Sequence, residues 1–157
     1  MALRNIVTGE DEILRKKSKP VTVFDQRLHE LLDDMLETMD HADGVGLAAV
    51  QVGVLRRVVV IRIKEEDPVL ELVNPVIVEA SEEQQCGTEA CLSYPGEAGI
   101  VCRPKRVTVQ AQNRNGDMIT VTGEDLLARA LCHELDHLDG IVFLDRAERM
   151  LNEDEEE

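Results

Sequence analysis

Aromatic side chains are almost missing from this chain. Its 157 residues hold no Trp, one Tyr and two Phe, 2% of the total, against 43% hydrophobic residues overall. A chain of this length buries about 68–70% of its unfolded surface, so its core must be assembled from Leu, Val, Ile, Ala and Met. Positive charge is also short: 17 Lys and Arg face 32 Asp and Glu, a formal net charge of −15. The terminal run Glu153–Glu157 reads as a solvated tail, but the rest of the chain is acidic too. That balance argues against phosphate-backbone binding, and no DNA partner is expected. The basic cluster Arg15-Lys16-Lys17 with Lys19 reads as an ordinary solvated loop face.

No run approaches membrane-spanning length and the N-terminus lacks an apolar signal region, so neither membrane association nor export is expected. The four cysteines, Cys86, Cys91, Cys102 and Cys132, form no CxxC pair, and nothing suggests a zinc knuckle or a thioredoxin-type motif. In a reducing cytoplasm they are expected to be free or metal-bound. Repeats and interdomain linkers are absent as well. One domain over residues 1–150 is expected, followed by an acidic, disordered tail at 151–157.

The elements that are there suggest an α+β chain. Residues up to Pro20 read as an irregular arm with a helical turn around Ile13 and Leu14. From Asp25, a plausible N-cap, to about Asp40, the apolar positions Leu28, Leu31, Leu32, Met35, Leu36 and Met39 follow helical spacing. Gly44 to Gly53 is a small-residue loop. Arg57–Ile63 and Leu70–Val78 read as strands, rich in β-branched residues. Ser81 to Gly99 reads as turn-like, and Val101–Gln112 as one strand. Asn115-Gly116 is a type I′ hairpin signal leading to a partner strand through Val121. The T-x-x-D pattern at Thr122 predicts a last helix starting near Gly123, which Gly140 would end.

That last helix carries the chemistry. In HELDHLDG, His133 and His137 stand four apart on one helical face, where two imidazoles can bind one metal ion, with Glu134 beside them as a general base. Leu127, Leu131, Leu135 and Leu138 share the core face, while Leu126, Ala130, His133 and His137 share another. A structural metal site closes its shell with four protein ligands; a catalytic one leaves a place for water. No later His supplies the third ligand of a metzincin, and Glu148 is too near in sequence to fold back. Cys91, in EACLSYPG, is among the candidates, the bland alternative being a buried free thiol. The loop GVGLAA fits G-x-G-x-x-G/A but follows a helix rather than a strand, so a dinucleotide site is rejected. Its glycines suggest close backbone approach, with Gln51 supplying an amide, although a tight loop with a solvated Gln51 reads equally well.

Taken together, GVGLAAVQ, EACLS and HELDHLDG resemble the three signature motifs of the peptide deformylase family, in the same order and at similar separations. The resemblance covers residues 1 to about 147. It implies an α+β fold of mostly antiparallel strands around a central metal-binding helix, with an amphipathic N-terminal helix. It implies an enzyme that hydrolyses the formyl group from the N-terminal formyl-methionine of new polypeptides and releases formate. Cys91, His133 and His137 would hold one divalent ion, Fe(II) being favoured as native, with Zn, Ni or Co also suited to the donors. Metal-activated water would attack the formyl carbon with Glu134 as general acid/base, and Gln51 and the backbone N–H of Leu92 would meet the oxyanion. Gly46 would bond the substrate backbone, Val45 and Leu126 would flank the methionine pocket, and Glu89 would pair with Arg103 to hold the Cys91 loop. N-formyl-methionyl nascent peptides are the implied partners, with transient ribosome docking and a monomeric state expected.

Three departures qualify the match. Ala90 stands where the family motif has Gly, which matters only if that position needs positive φ. Arg129 replaces an apolar pocket residue and is expected either to snorkel outward, its stem lining the pocket, or to alter side-chain preference. The long C-terminal helix of some members has no counterpart, so ribosome docking would use another surface or be weaker. Two other functions fit the same motif: an HExxH metallopeptidase or amidase with a different acyl substrate, which Arg129 keeps open, and a non-catalytic metal- or peptide-binding protein. Glu134 and Gln51 speak against the latter, since binding alone needs neither.

Overall fold

The computed structural model describes residues 2–151, so all of the expected acidic tail except Leu151 lies outside the described residues. The chain is mixed α+β with every named strand pair antiparallel. After the arm, with a 3₁₀ turn at Glu12–Arg15, come α1 (Gln26–His41), β1 (Gly46–Ala48), β2 (Val58–Ile61) and β3 (Leu70–Ala80). Then follow β4 (Gln84–Ala90), β5 (Ala98–Pro104), β6 (Arg106–Gln112), β7 (Met118–Glu124), α2 (Leu126–Leu138), α3 (Phe143–Arg146) and β8 (Arg149–Met150). Five strands form one sheet in the order β1-β2-β3-β6-β7, and three form a second in the order β4-β5-β8.

Helix α1 starts where Asp25 caps it, its side chain accepting from the Leu28 N–H at 3.2 Å. Leu28, Leu31, Leu32, Met35 and Met39 are buried on one stripe, with Leu36 half-buried beside it. The stripe packs on Val58 and Val60 of β2. Alternate residues of the same strand, Val59 and Ile61, turn the other way and pack with Leu131, Leu135 and Leu138 of α2. A strand buried on both faces explains why RVVVIRI is an unbroken apolar run rather than an alternating one. Helix α2 also touches β5 of the second sheet, so it lies against both sheets. Two of the few aromatics, Tyr94 and Phe143, meet edge to face at 6.1 Å behind the site, and Phe143 stacks on His133 at 6.2 Å.

Several local expectations are corrected. The segment Ser81 to Gly99 is not all turn: Gln84–Ala90 is a strand, of which Glu89 alone is buried, so no apolar alternation betrays it. The run Val101–Gln112 is two strands rather than one. Pro104, which cannot donate to a ladder, ends β5, and the chain passes from one sheet to the other at Lys105. Thr122 does not cap a helix but lies inside β7, its hydroxyl 3.0 Å from that of Thr108 across the ladder. Cross-strand pairing outweighs the local cap pattern, and α2 starts only at Leu126. The Asn115-Gly116 hairpin forms, but not as type I′, because only Gly116 takes positive φ; the turn closes from the Gly116 N–H to the Asn113 carbonyl at 3.0 Å. Gly140 follows α2 at φ +75°, and a Cβ there would strike the Arg15 carbonyl.

The cysteines also differ from expectation. Cys86 and Cys102 face each other directly across β4 and β5, with Cα atoms 4.0 Å apart, and are joined as a disulfide. Sequence spacing hid this pair because its two members come from neighbouring strands. Cys91 and Cys132 are free. Among the described residues, no helix is long and apolar enough to cross a membrane.

Candidate metal centre and active site

Three stretches that are far apart in sequence converge on the buried face of α2. His133 and His137 project from successive turns of that helix, their rings 5.0 Å apart. Cys91, at the end of β4, brings its Sγ to 3.3 Å from His137 Nε2. One donor atom from each of Cys91, His133 and His137 lies within 4.8 Å of the others. His133 Nδ1 is taken by Glu89 Oε1 at 2.8 Å, which leaves its Nε2 to face the centre. Such a carboxylate behind a ligating imidazole fixes its orientation and raises its basicity.

The donor set fits a metal ion. Burial pushes His137 down to about 3, so it is neutral and its lone pair is available at any working pH. His133 behaves oppositely: burial opposes its charge, but Cys91 and Glu89 together raise it to about 10. His137 Nδ1 is buried without a hydrogen-bond partner.

Glu89 is the hub of the surroundings. Arg103 grips it with two bonds of 2.9 Å, and Arg129 Nη1 adds a third at 2.8 Å. Burial alone would push its carboxyl up, but the His133 and Arg103 hydrogen bonds hold it down at about 2. Arg103 in turn reaches Asp136 at 2.6 Å, and Asp136 also takes Arg146 of α3 at 2.6 Å. Removing one member of such a buried set leaves an uncompensated charge, at a cost of about 3–5 kcal/mol. Asp136 was not among the expected site residues, although it stands inside HELDH; its role depends on Arg103, which joins it to Glu89 from β5, a link no spacing in the motif shows.

Glu134 is buried beside the histidines, and burial pushes its carboxyl up to about 7. Its Oε1 has no hydrogen-bond partner. Gly46 of β1 lies against it so closely that an added Cβ would sit 2.7 Å from Glu134 Oε2. The glycine thus serves the carboxylate as well as any backbone contact. Gly46→Ala is expected to fold but to push Glu134 aside, lowering kcat by about 10²-fold, the scale of a 1 Å misplacement. Steady-state kinetics alongside a circular dichroism spectrum would check this.

Gln51 is buried, and its orientation is fixed from both ends. Its Oε1 accepts from the Ala48 N–H at 2.9 Å, so its amide group points at Ser93 Oγ, 3.1 Å away, and at Cys91 Sγ, 3.5 Å away. This excludes the solvated-loop alternative. Ser93 went unselected, although it lies in the same EACLS motif as Cys91. Leu92, Val45, Gly46, Gln51, Leu126 and Arg129 all line one cavity of about 360 Å³ together with Cys91, His133 and Glu134. His137 stands behind the cavity wall, fully buried. Ala90 does not take positive φ, so its replacement of glycine costs the backbone nothing. Of the two courses expected for Arg129, snorkelling outward is not taken: its side chain is buried. It turns inward onto Glu89 and the Val101 carbonyl, its guanidinium paired with that buried carboxylate.

A thiol and two helix imidazoles around a common point, a buried carboxylate beside them and a cavity opening onto them make up a metal-dependent hydrolase site. The comparisons with known proteins narrow the class. Residues 3–153 match the family model described as polypeptide deformylase. The chain is 60% identical over its full length to a peptide deformylase of Acetivibrio thermocellus, of which it covers 91%, and 51% identical to that of Natranaerobius thermophilus, with 99% of each chain covered. Among solved structures, the peptide deformylase of Thermotoga maritima superposes with a TM-score of 0.90 at 39% identity, covering 94% of this chain and 99% of that one. The peptide deformylase of Synechococcus elongatus in complex with actinonin gives 0.89 at 39% identity, covering 93% and 79%. The chain belongs to the polypeptide deformylase family, metal-dependent enzymes that remove the N-terminal formyl group from nascent polypeptides.

Proposed function

We propose that this chain deformylates N-formyl-methionyl polypeptides at a single divalent ion held by Cys91, His133 and His137. The clustering of those three donors, with Cys91, His133, Glu134 and Gln51 lining one cavity and His137 just behind its wall, carries the reading. Fe(II) is the proposed native ion, with Zn, Ni or Co able to take its place, since a thiolate and two imidazoles suit all of them. When bound, such an ion polarises the formyl oxygen and lowers the pKa of water at the site.

The chain's own residues supply the rest. Glu134 takes the proton of the attacking water and passes it to the departing amine, and a carboxyl near 7 is poised for both transfers. The Gln51 amide and the Leu92 N–H donate to the oxyanion, each such donor contributing about 2.7–4 kcal/mol to lowering the barrier. Gly46 offers its backbone to the peptide, and Val45, Leu126 and Arg129 flank the methionine side chain. Glu89, held by Arg103, sets the His133 ring. We assign the enzyme to the cytoplasm, as a monomer that meets nascent chains by docking transiently on the ribosome. Actinonin, which the Synechococcus elongatus relative binds, is expected to compete for the same cavity.

The test is formate release. The metallated protein, prepared without oxygen, is offered formyl-Met, acetyl-Met and internally blocked peptides. Formate from the first and no cleavage of the others supports the reading; cleavage of internal peptide bonds without formate contradicts it.

A further inference from the structure

Strand β4 carries Glu89 and delivers Cys91 to the site from the edge of its sheet. Among the described residues it pairs with β5 alone, and of its seven residues only Glu89 is buried. No buried apolar side chain anchors it, so covalent and polar ties matter more here than in the other sheet. The Cys86–Cys102 bridge is the covalent one, set near the end of the ladder at Gln84 and Pro104. It closes a loop with a sequence separation of 16, and Glu89, Cys91, Leu92 and Ser93 all lie within that loop.

The bridge and the site occupy opposite faces of β4 and β5. Cys86, Thr88 and Ala90 are exposed where Glu89 is buried, and Cys102 is half-buried between buried Val101 and buried Arg103. Side chains alternate along a strand, and residues directly opposite share a face. The two sulfurs therefore lie on the side of the sheet away from Glu89 and Arg103, with Cys86 open to solvent. A thiol can reach them without any opening of the metal centre.

Resting on the ligand set assigned above, we propose that Cys86–Cys102 is a thiol–disulfide exchange site whose state sets how firmly Cys91 and His133 hold the metal ion. Its reaction partner is a small thiol. The thiolate attacks Cys86 Sγ and the S–S bond breaks, Cys102 leaving as a thiolate that takes up a proton. A second thiol attacks the reagent's own sulfur in the mixed disulfide and frees Cys86. Two electrons pass from the two small thiols, which end joined to each other, and the reverse exchange restores the bridge. With the bridge open, the outer end of β4 separates from β5 more often. Glu89, which sets the His133 ring, and Cys91 are then held less tightly. Supports of this kind behind metal ligands are worth about 10–100-fold in affinity.

The experiment compares two forms of the nickel-loaded protein, one oxidised with glutathione disulfide and one reduced with dithiothreitol and reloaded. Both are kept folded and free of oxygen, and the reagents are removed. Alkylation and mass spectrometry should find Cys91 and Cys132 as the free thiols of the oxidised form and all four cysteines free in the reduced one. Nickel affinity, measured by competition with a chelator, is expected to be about tenfold or more weaker in the reduced form and to recover on reoxidation. Cys86→Ser with Cys102→Ser is expected to show the weaker affinity under both treatments. The inference is overturned if the oxidised protein carries no bridge, or if dithiothreitol cannot open it without denaturant. Equal affinities in the two forms would also overturn it, even with a shifted unfolding midpoint, because the bridge would then be purely structural. Should the double variant fail to fold, the two wild-type forms alone decide. A protein that keeps its bridge and its nickel but releases no formate would instead overturn the deformylase reading.

Discussion

Glu134→Ala is expected to bind its metal ion like the parent protein and to lose about 10²–10⁴-fold in kcat, the span of general acid–base catalysis. The carboxylate stands beside the donor set without belonging to it, so the ligands survive its removal. Metal analysis and steady-state kinetics on the same sample separate the two effects. A second consequence reads out in stability. The fold raises the Glu134 carboxyl from its ordinary value to about 7 by burying it. A carboxyl raised in this way favours the protonated form, so its contribution to stability is fully present below about pH 4.5 and is lost as the pH rises through 7. The metal-free Glu134→Gln variant, neutral at every pH, should therefore be more stable than the metal-free parent at pH 8 and show little advantage at pH 4. Thermal melts at the two pH values check this. Equal differences at both would mean that the group is not held protonated by the fold.

Cys91→Ala is expected to lose both the ion and the activity. Three protein donors with one open position define a catalytic site of this kind, and two imidazoles alone leave it short of a ligand. Metal content after dialysis should fall from about one ion per chain to near none, with formate release falling alongside it. The fold should tolerate the change, because Cys91 is only half-buried and the surrounding charges are already paired through Glu89, Arg103 and Asp136. If the variant holds metal as firmly as the parent, the thiolate is not a ligand and the donor set must be drawn again.

What could be read from the chain before its fold depended on how local the cause was. The α1 helix was legible because Asp25 and the Leu28–Met39 stripe are both set within one element. The His133–His137 pair was legible for the same reason, since four residues on a helix fix their own geometry. Cys91 and Gln51 could be suspected, but no spacing rule joins them to α2; tertiary packing does. Strand β4 was invisible because QQCGTEA carries no apolar alternation, its one buried residue being Glu89, whose burial depends on Arg103, Arg129 and His133 from elsewhere. The Cys86–Cys102 pairing depended on that unseen strand. The inward course of Arg129 was not legible because its partner, Glu89, comes from β4, 40 residues earlier in the chain.

X-ray absorption at the metal edge of the loaded wild-type enzyme tests the central assignment most directly. The account predicts one sulfur and two nitrogen donors from the protein on each ion, supplied by Cys91, His133 and His137. A shell of nitrogen and oxygen alone, with no sulfur, would contradict it.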